Sequence, residues 1–131
     1  MAHLLGTDIE TTGLDKNRTS ITEIAFVHYN GEERLSELVV KIKPENDTDI
    51  SLGALKVTRQ TIESLYGEDA LPPVAAAQKI IEYFVTQVFP VTGNKEIKLL
   101  GHNVAFDVVR IRQFLDQFKI TGWDEVFSYR L

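Results

Sequence analysis

Thr7-Asp8-Ile9-Glu10-Thr11-Thr12-Gly13-Leu14 follows the apolar run His3-Leu4-Leu5-Gly6, which lies too close to Gly13 to be a helix. Together the two stretches predict a β-strand. In a strand, residues two apart share a face. Asp8 and Glu10 therefore project side by side, roughly 6.5–7 Å apart along the chain, while Leu5, Thr7 and Ile9 face the other way. Two acids on one strand face repel each other and cost stability unless a cation sits between them. Hard divalent ions take carboxylate oxygens, which points to Mg²⁺ or Mn²⁺. The competing reading is a strand whose polar face is simply solvated. Thr-Thr-Gly then turns the chain just past the acids and leaves Leu14 at a loop tip beside them, which is the geometry of a site.

Working outward, Ser20 to Tyr29 alternates as a strand, with Ile24 and Phe26 on one side and Ala25 and Val27 on the other. Asn30-Gly31 predicts a two-residue type I′ hairpin turn, and Leu35 to Ile42 its partner strand, stopped by Pro44. The first third is thus an antiparallel three-strand meander. Glu45 to Leu52 is a polar connector, and Thr58 is placed to cap a short helix over Arg59 to Leu65. Apolar residues at Ala77, Ile80, Ile81, Phe84, Val85 and Val88 predict a helix with one buried face, ended by Pro90. Ile97 to Gly101 reads as a short buried strand, and Val126 to Leu131 alternates like a strand.

A second stretch of chemical interest is Gly101-His102-Asn103-Val104-Ala105-Phe106-Asp107. Asn103 is a good N-cap, followed by the stripe Val104, Val108, Ile111, Leu115 and Phe118. At 100° per residue, Asp107 flanks that stripe on the core side, where a carboxylate must be paired or bind a cation. The alternative is an acid placed only for the helix N-terminal dipole. Phe106 points nearly opposite the stripe, among Arg110, Gln113 and Gln117, as an exposed aromatic or one packed under a neighbouring loop.

Composition bounds the class. With 131 residues, 44% apolar and 25% charged, the chain makes one globular domain rather than a disordered or fibrous one. No apolar run reaches membrane-spanning length, and the N-terminus lacks a signal-peptide pattern. The absence of cysteine rules out a disulfide scaffold or thiolate metal site and fits a reducing, cytoplasmic setting. A net charge of −5 argues against a protein held to nucleic acid by a broad basic surface, so a nucleic-acid enzyme of this charge would have to grip a short stretch or an end, with metal ions supplying much of the positive charge.

Asp-x-Glu-Thr-Thr-Gly-Leu, followed roughly a hundred residues later by His-Asn-x-x-Phe-Asp opening a helix, resembles the DEDD superfamily of 3′–5′ exonucleases. The likeness is closest to the branch that includes the proofreading subunit of bacterial DNA polymerase III. It implies an α/β, ribonuclease H-like fold, a mixed sheet of the three-strand meander plus a parallel strand, with flanking helices, over a single domain at 1–131. It also implies catalytic metal ligands at Asp8, Glu10 and Asp107, holding two Mg²⁺ or Mn²⁺ ions. Substrate contacts fall at Thr11 (by its backbone, to the terminal 3′ hydroxyl), Leu14 (a wedge beside the last base), Asn103 and Phe106 (against the terminal nucleotides). The implied partner is a nucleic-acid 3′ end, DNA ahead of RNA, with a polymerase or replication protein as a further partner and no membrane.

Two departures bear on activity. Leu55 stands where the family often has a substrate-touching histidine. The family's third motif, a histidine base and a fourth acid on a later helix, is not found in the 24 residues after Asp107, so the expectation is a chain truncated at its C-terminus and weakly active alone. Asp124 and Glu125 are poor substitutes in a loop-like stretch; His102 reads as structural, and His3 and His28 have no evident partner. A non-catalytic module that binds a 3′ end or a protein is the second reading. A glycosidase using Asp8 and Glu10 as an acid/base pair is a third, opposed by the scarcity of aromatic platforms, with one Trp far from Glu10.

Overall fold

A computed structural model describes residues 2–45 and 48–129. Five strands form one sheet in the order β3-β2-β1-β4-β5. β1 (His3–Thr11), β2 (Ile21–Asn30) and β3 (Glu33–Lys41) are antiparallel neighbours, and β4 (Ile97–Leu100) lies parallel to β1 on its other side. The predicted meander and parallel strand are both present. Strand alternation is as read: His3, Leu5, Thr7 and Ile9 are buried on one face, and Asp8 and Glu10 lie on the other.

The core sits on the first of these faces, under α3 (Pro73–Tyr83) and α5 (Val104–Asp116). Leu5, Ile24 and Phe26 from the sheet meet Ile80 and Val108 from the helices, all fully buried. Phe84 is the aromatic hub, with ring centroids 5.1 Å from both Phe26 and Phe127. Such contacts add to an apolar burial worth ~2–3 kcal/mol for each large side chain.

Several sequence expectations are corrected. The first hairpin turn is Gly31-Glu32, one residue later than Asn30-Gly31, because Asn30 still pairs with Glu33. Only Gly31 needs positive φ (+63°), as a glycine-first hairpin turn demands. Thr58 is no N-cap: it ends α1 (Leu52–Thr58), capped by Ser51, and its hydroxyl donates back to the Ala54 carbonyl at 2.9 Å. Arg59 at φ +58° then breaks the helix, and Thr61 caps α2 (Ile62–Leu65) in a reciprocal box with Ser64. Two residues of the polar connector, Asn46 and Asp47, lie outside the described residues.

Pro90 does not end the long helix. A π-helical turn at Phe84–Val88 moves the ladder by one residue, with the Phe89 N–H donating to the Phe84 carbonyl. Pro90 therefore falls in the first turn of a new segment, α4 (Phe89–Thr92), where no intrahelical donor is required. The predicted last strand begins as the helical turn α6 (Trp123–Val126) and pairs with β4 only at β5 (Phe127–Ser128); its end at Arg130 and Leu131 lies outside the described residues. Among the described residues no helix is long and apolar enough to cross a membrane.

Candidate functional site

The site begins where β4 stops. β4 pairs with β1 only as far as Gly6↔Leu100. At Gly101 the chain passes so close to β1 that an added Cβ would lie 2.5 Å from the Thr7 carbonyl oxygen. Only glycine fits. Beyond it α5 starts, packed against β1, and brings its first turn beside the stretch of β1 that carries the acids.

Asp107 is 5% exposed and its Oδ2 is buried without a hydrogen-bond partner. Burial, then the negative charges of Asp8 and Glu10, raise its carboxyl to about 7. Glu10 is also raised, by burial first, then by Asp8 and by Glu23. Asp8 is exposed. Asp107 thus shares one electrostatic neighbourhood with two acids about a hundred residues earlier in the chain. Among the described residues, no three acidic or imidazole groups are drawn in closely enough to hold an ion as they stand. The donor set still suits a hard cation: all oxygen, over-charged, and with one buried carboxylate oxygen lacking any partner.

Glu23 was missed by the sequence reading. It lies directly opposite Glu10 in the β1–β2 register, on the same face. The signal was available, since Ile24 and Phe26 facing inward put Glu23 outward. A cleft of about 270 Å³ runs beside Glu10, lined also by Thr22, Glu23, Lys41, Arg59 and Gln60. A larger hollow, about 810 Å³ between α3, α5 and α6, contains none of the acids Asp8, Glu10 and Asp107.

The turn after the acids is tied on several sides. The Thr12 N–H donates to the Ser20 carbonyl at 2.9 Å, and the Ser51 N–H to the Thr12 carbonyl at 2.7 Å. Thr11 Oγ1 donates to the Gly13 carbonyl at 2.8 Å, and Thr19 Oγ1 lies between the Asp15 and Gly13 carbonyls, at 2.5 and 3.0 Å, with one proton for the two. Leu14 is left projecting at the tip, 83% exposed, as expected. Asn103 holds the N-cap position but sits at φ +56°, ψ +47°, and its side chain makes no cap bond, so the predicted capping is wrong. In that backbone state the side chain is not aimed at the helix's first N–H groups.

Phe106 is not an open platform. It is partly buried against the core, with the Arg110 guanidinium 5.8 Å from its ring centroid. Arg110, expected on the polar side of α5, is 3% exposed and donates to the carbonyls of Gly13 (3.3 Å) and Thr19 (3.2 Å). His102 is exposed. His3 and His28 are each other's partners, with Nδ1 and Nε2 3.1 Å apart in the core. Asp124 pairs with Arg112 at 3.0 Å, and neither it nor Glu125 is among the charges acting on Asp107.

The RNase_T family model, described as Exonuclease, matches residues 5–121. The chain belongs to the RNase_T exonuclease family. No curated protein sequence matches this exonuclease-family chain. Among solved structures it is similar to the zinc-bound complex of Escherichia coli exonuclease I with single-stranded DNA, with a TM-score of 0.78 and 20% identity over 99% of this chain and 28% of that one. The same enzyme with a dT13 oligonucleotide gives a TM-score of 0.71 and 22% identity over 89% of this chain and 24% of that one. Exonuclease I from Methylocaldum szegediense gives 0.77 and 20% over 99% and 27%. The chain therefore spans less than a third of the length of these exonuclease I chains. At these identities the likeness shows the fold, the mixed-sheet, ribonuclease H-like exonuclease fold expected from the motifs.

Proposed function

We propose that this exonuclease-family chain forms the metal-binding and end-gripping part of a DEDD-type 3′–5′ exonuclease, a single domain over 1–131. The observation that carries the reading is the buried, unpartnered Asp107 carboxylate, held in the field of Asp8 and Glu10. Asp8, Glu10 and Asp107 would hold the cations. When bound, Mg²⁺ or Mn²⁺ supplies charge neutralisation at the phosphate and activation of water.

The remaining steps belong to the chain itself. The Thr11 backbone, at the last residue of β1, receives the terminal hydroxyl. Leu14 inserts its exposed side chain beside the last base, and Asn103 and Phe106 bound the opposite wall from the start of α5. A grip on one strand end is in keeping with the net charge of −5, which argues against binding through a broad basic surface. DNA is the favoured substrate, by the motif likeness to the proofreading branch; a replicative polymerase partner in the cytoplasm is part of the same reading.

Fluorescence anisotropy on a 5′-labelled single-stranded oligonucleotide tests this. Binding should need Mn²⁺ and a free 3′ hydroxyl, and should be lost in Asp8→Ala. Equal affinity for 3′-hydroxyl and 3′-phosphate ends, with or without the ion, would overturn it.

A further inference from the structure

Arg110 is a buried cation whose structural bonds are to carbonyls of the motif turn rather than to a carboxylate. Its partners Gly13 and Thr19 lie 97 and 91 residues away in sequence, on either side of the Leu14 tip. On its other side it faces the Phe106 ring. Burying a guanidinium costs stability, and an apolar side chain at this place would fill α5's inner face without that cost. Leucine would serve the fold. What leucine cannot do is bridge two backbone oxygens with a planar fork while lying against an aromatic ring.

We propose that Arg110 is a positioning residue that sets the gap between the Leu14 tip and Phe106, and so fixes the grip on the terminal nucleotide without helping to hold the metal. This rests on the proposed function for its substrate, but the geometry stands apart from it. The guanidinium reaches the Gly13 carbonyl that also accepts from Thr11 Oγ1, so α5 and the end of β1 meet on one oxygen. The turn also packs closely on itself: a Cβ added at Gly13 would meet Thr19 Cγ2 at 2.7 Å. Releasing Arg110 removes the tie between this turn and α5, while Asp8 and Glu10, set by the β1–β2 ladder, stay in place.

The test compares wild type, Arg110→Met and Arg110→Lys in three measurements: Mn²⁺ affinity, oligonucleotide affinity with a free or phosphorylated 3′ end, and amide hydrogen exchange. Arg110→Met should leave Mn²⁺ affinity within about twofold. It should weaken binding to the free 3′ end about tenfold, abolish discrimination between the two ends, and speed exchange at 11–19 but not in the strands. Arg110→Lys, which keeps the charge but loses the fork, should behave like Arg110→Met, and millimolar guanidinium should restore Arg110→Met in part where equal sodium chloride does not. Unchanged exchange at 11–19, or a parallel loss of Mn²⁺ and oligonucleotide affinity, would overturn the inference. A wild type that never discriminates 3′ ends would instead sink the exonuclease reading; faster exchange in Arg110→Met would then still support the positioning of the turn.

Discussion

Replacing Asp107 with asparagine should stabilise the metal-free protein above neutral pH. In the fold its carboxyl is raised from 3.8 to about 7, so ionising it in place costs up to ~4 kcal/mol. The sign follows from proton counting. Between 3.8 and about 7 the native state keeps a proton that the unfolded chain has released, so stability falls as pH rises through that window, and the whole penalty is present at pH 8. Asp107→Asn keeps the shape and removes the charge. Its advantage over wild type should grow from near zero at pH 4 to ~2–4 kcal/mol at pH 8. Urea unfolding in EDTA reads this directly. With a slope of ~2 kcal/mol/M, the midpoint should rise by ~1–2 M at pH 8. Added Mn²⁺ should then stabilise wild type and leave the variant where it was. An Asp107→Asn protein less stable than wild type at pH 8, or a difference independent of pH, would refute the claim that this carboxylate is strained by burial and by its acidic neighbours.

Other consequences follow from single contacts. Leu14→Ala should change stability by less than ~0.5 kcal/mol, given its exposure, yet weaken binding of a free 3′ end several-fold in the anisotropy assay. Gly101→Ala forces a Cβ against the Thr7 carbonyl and should cost ~1–3 kcal/mol in a thermal or urea melt, with Mn²⁺ affinity falling too as α5 shifts away from β1. Burial and His3 keep His28 neutral below its ordinary value of 6.5, so the unfolded chain takes up a proton that the fold refuses. In the Asp107→Asn background, stability should therefore drop as pH falls below 6.5, and a second substitution, His28→Asn, should flatten that slope.

The parts of the fold governed by local pattern were legible. Period-two alternation placed Leu5 and Ile9 inward and both acids outward, and the 3.6 period put Val104, Val108 and Ile111 in the core. The misreadings occurred where distant chain decides. Pro90 looked like a stop because nothing local announces the π-helical turn that accommodates it. Arg110 looked like solvent-facing charge on an amphipathic helix, since the carbonyls that bury it come from a turn more than ninety residues earlier. His3 and His28 meet only through the β1–β2 register, 25 residues apart. Asn103 has a capping side chain, but the close pass at Gly101 and the sharp entry to α5 put its backbone in the left-handed region instead.

Calorimetric titration of Mn²⁺ into wild type, Asp8→Ala and Asp107→Ala bears most directly on the shared cation site. Saturable binding to wild type, weakened at least tenfold by either substitution, is the predicted result. Equal affinity in all three proteins would contradict it and leave the acids of β1 and α5 without a common ion.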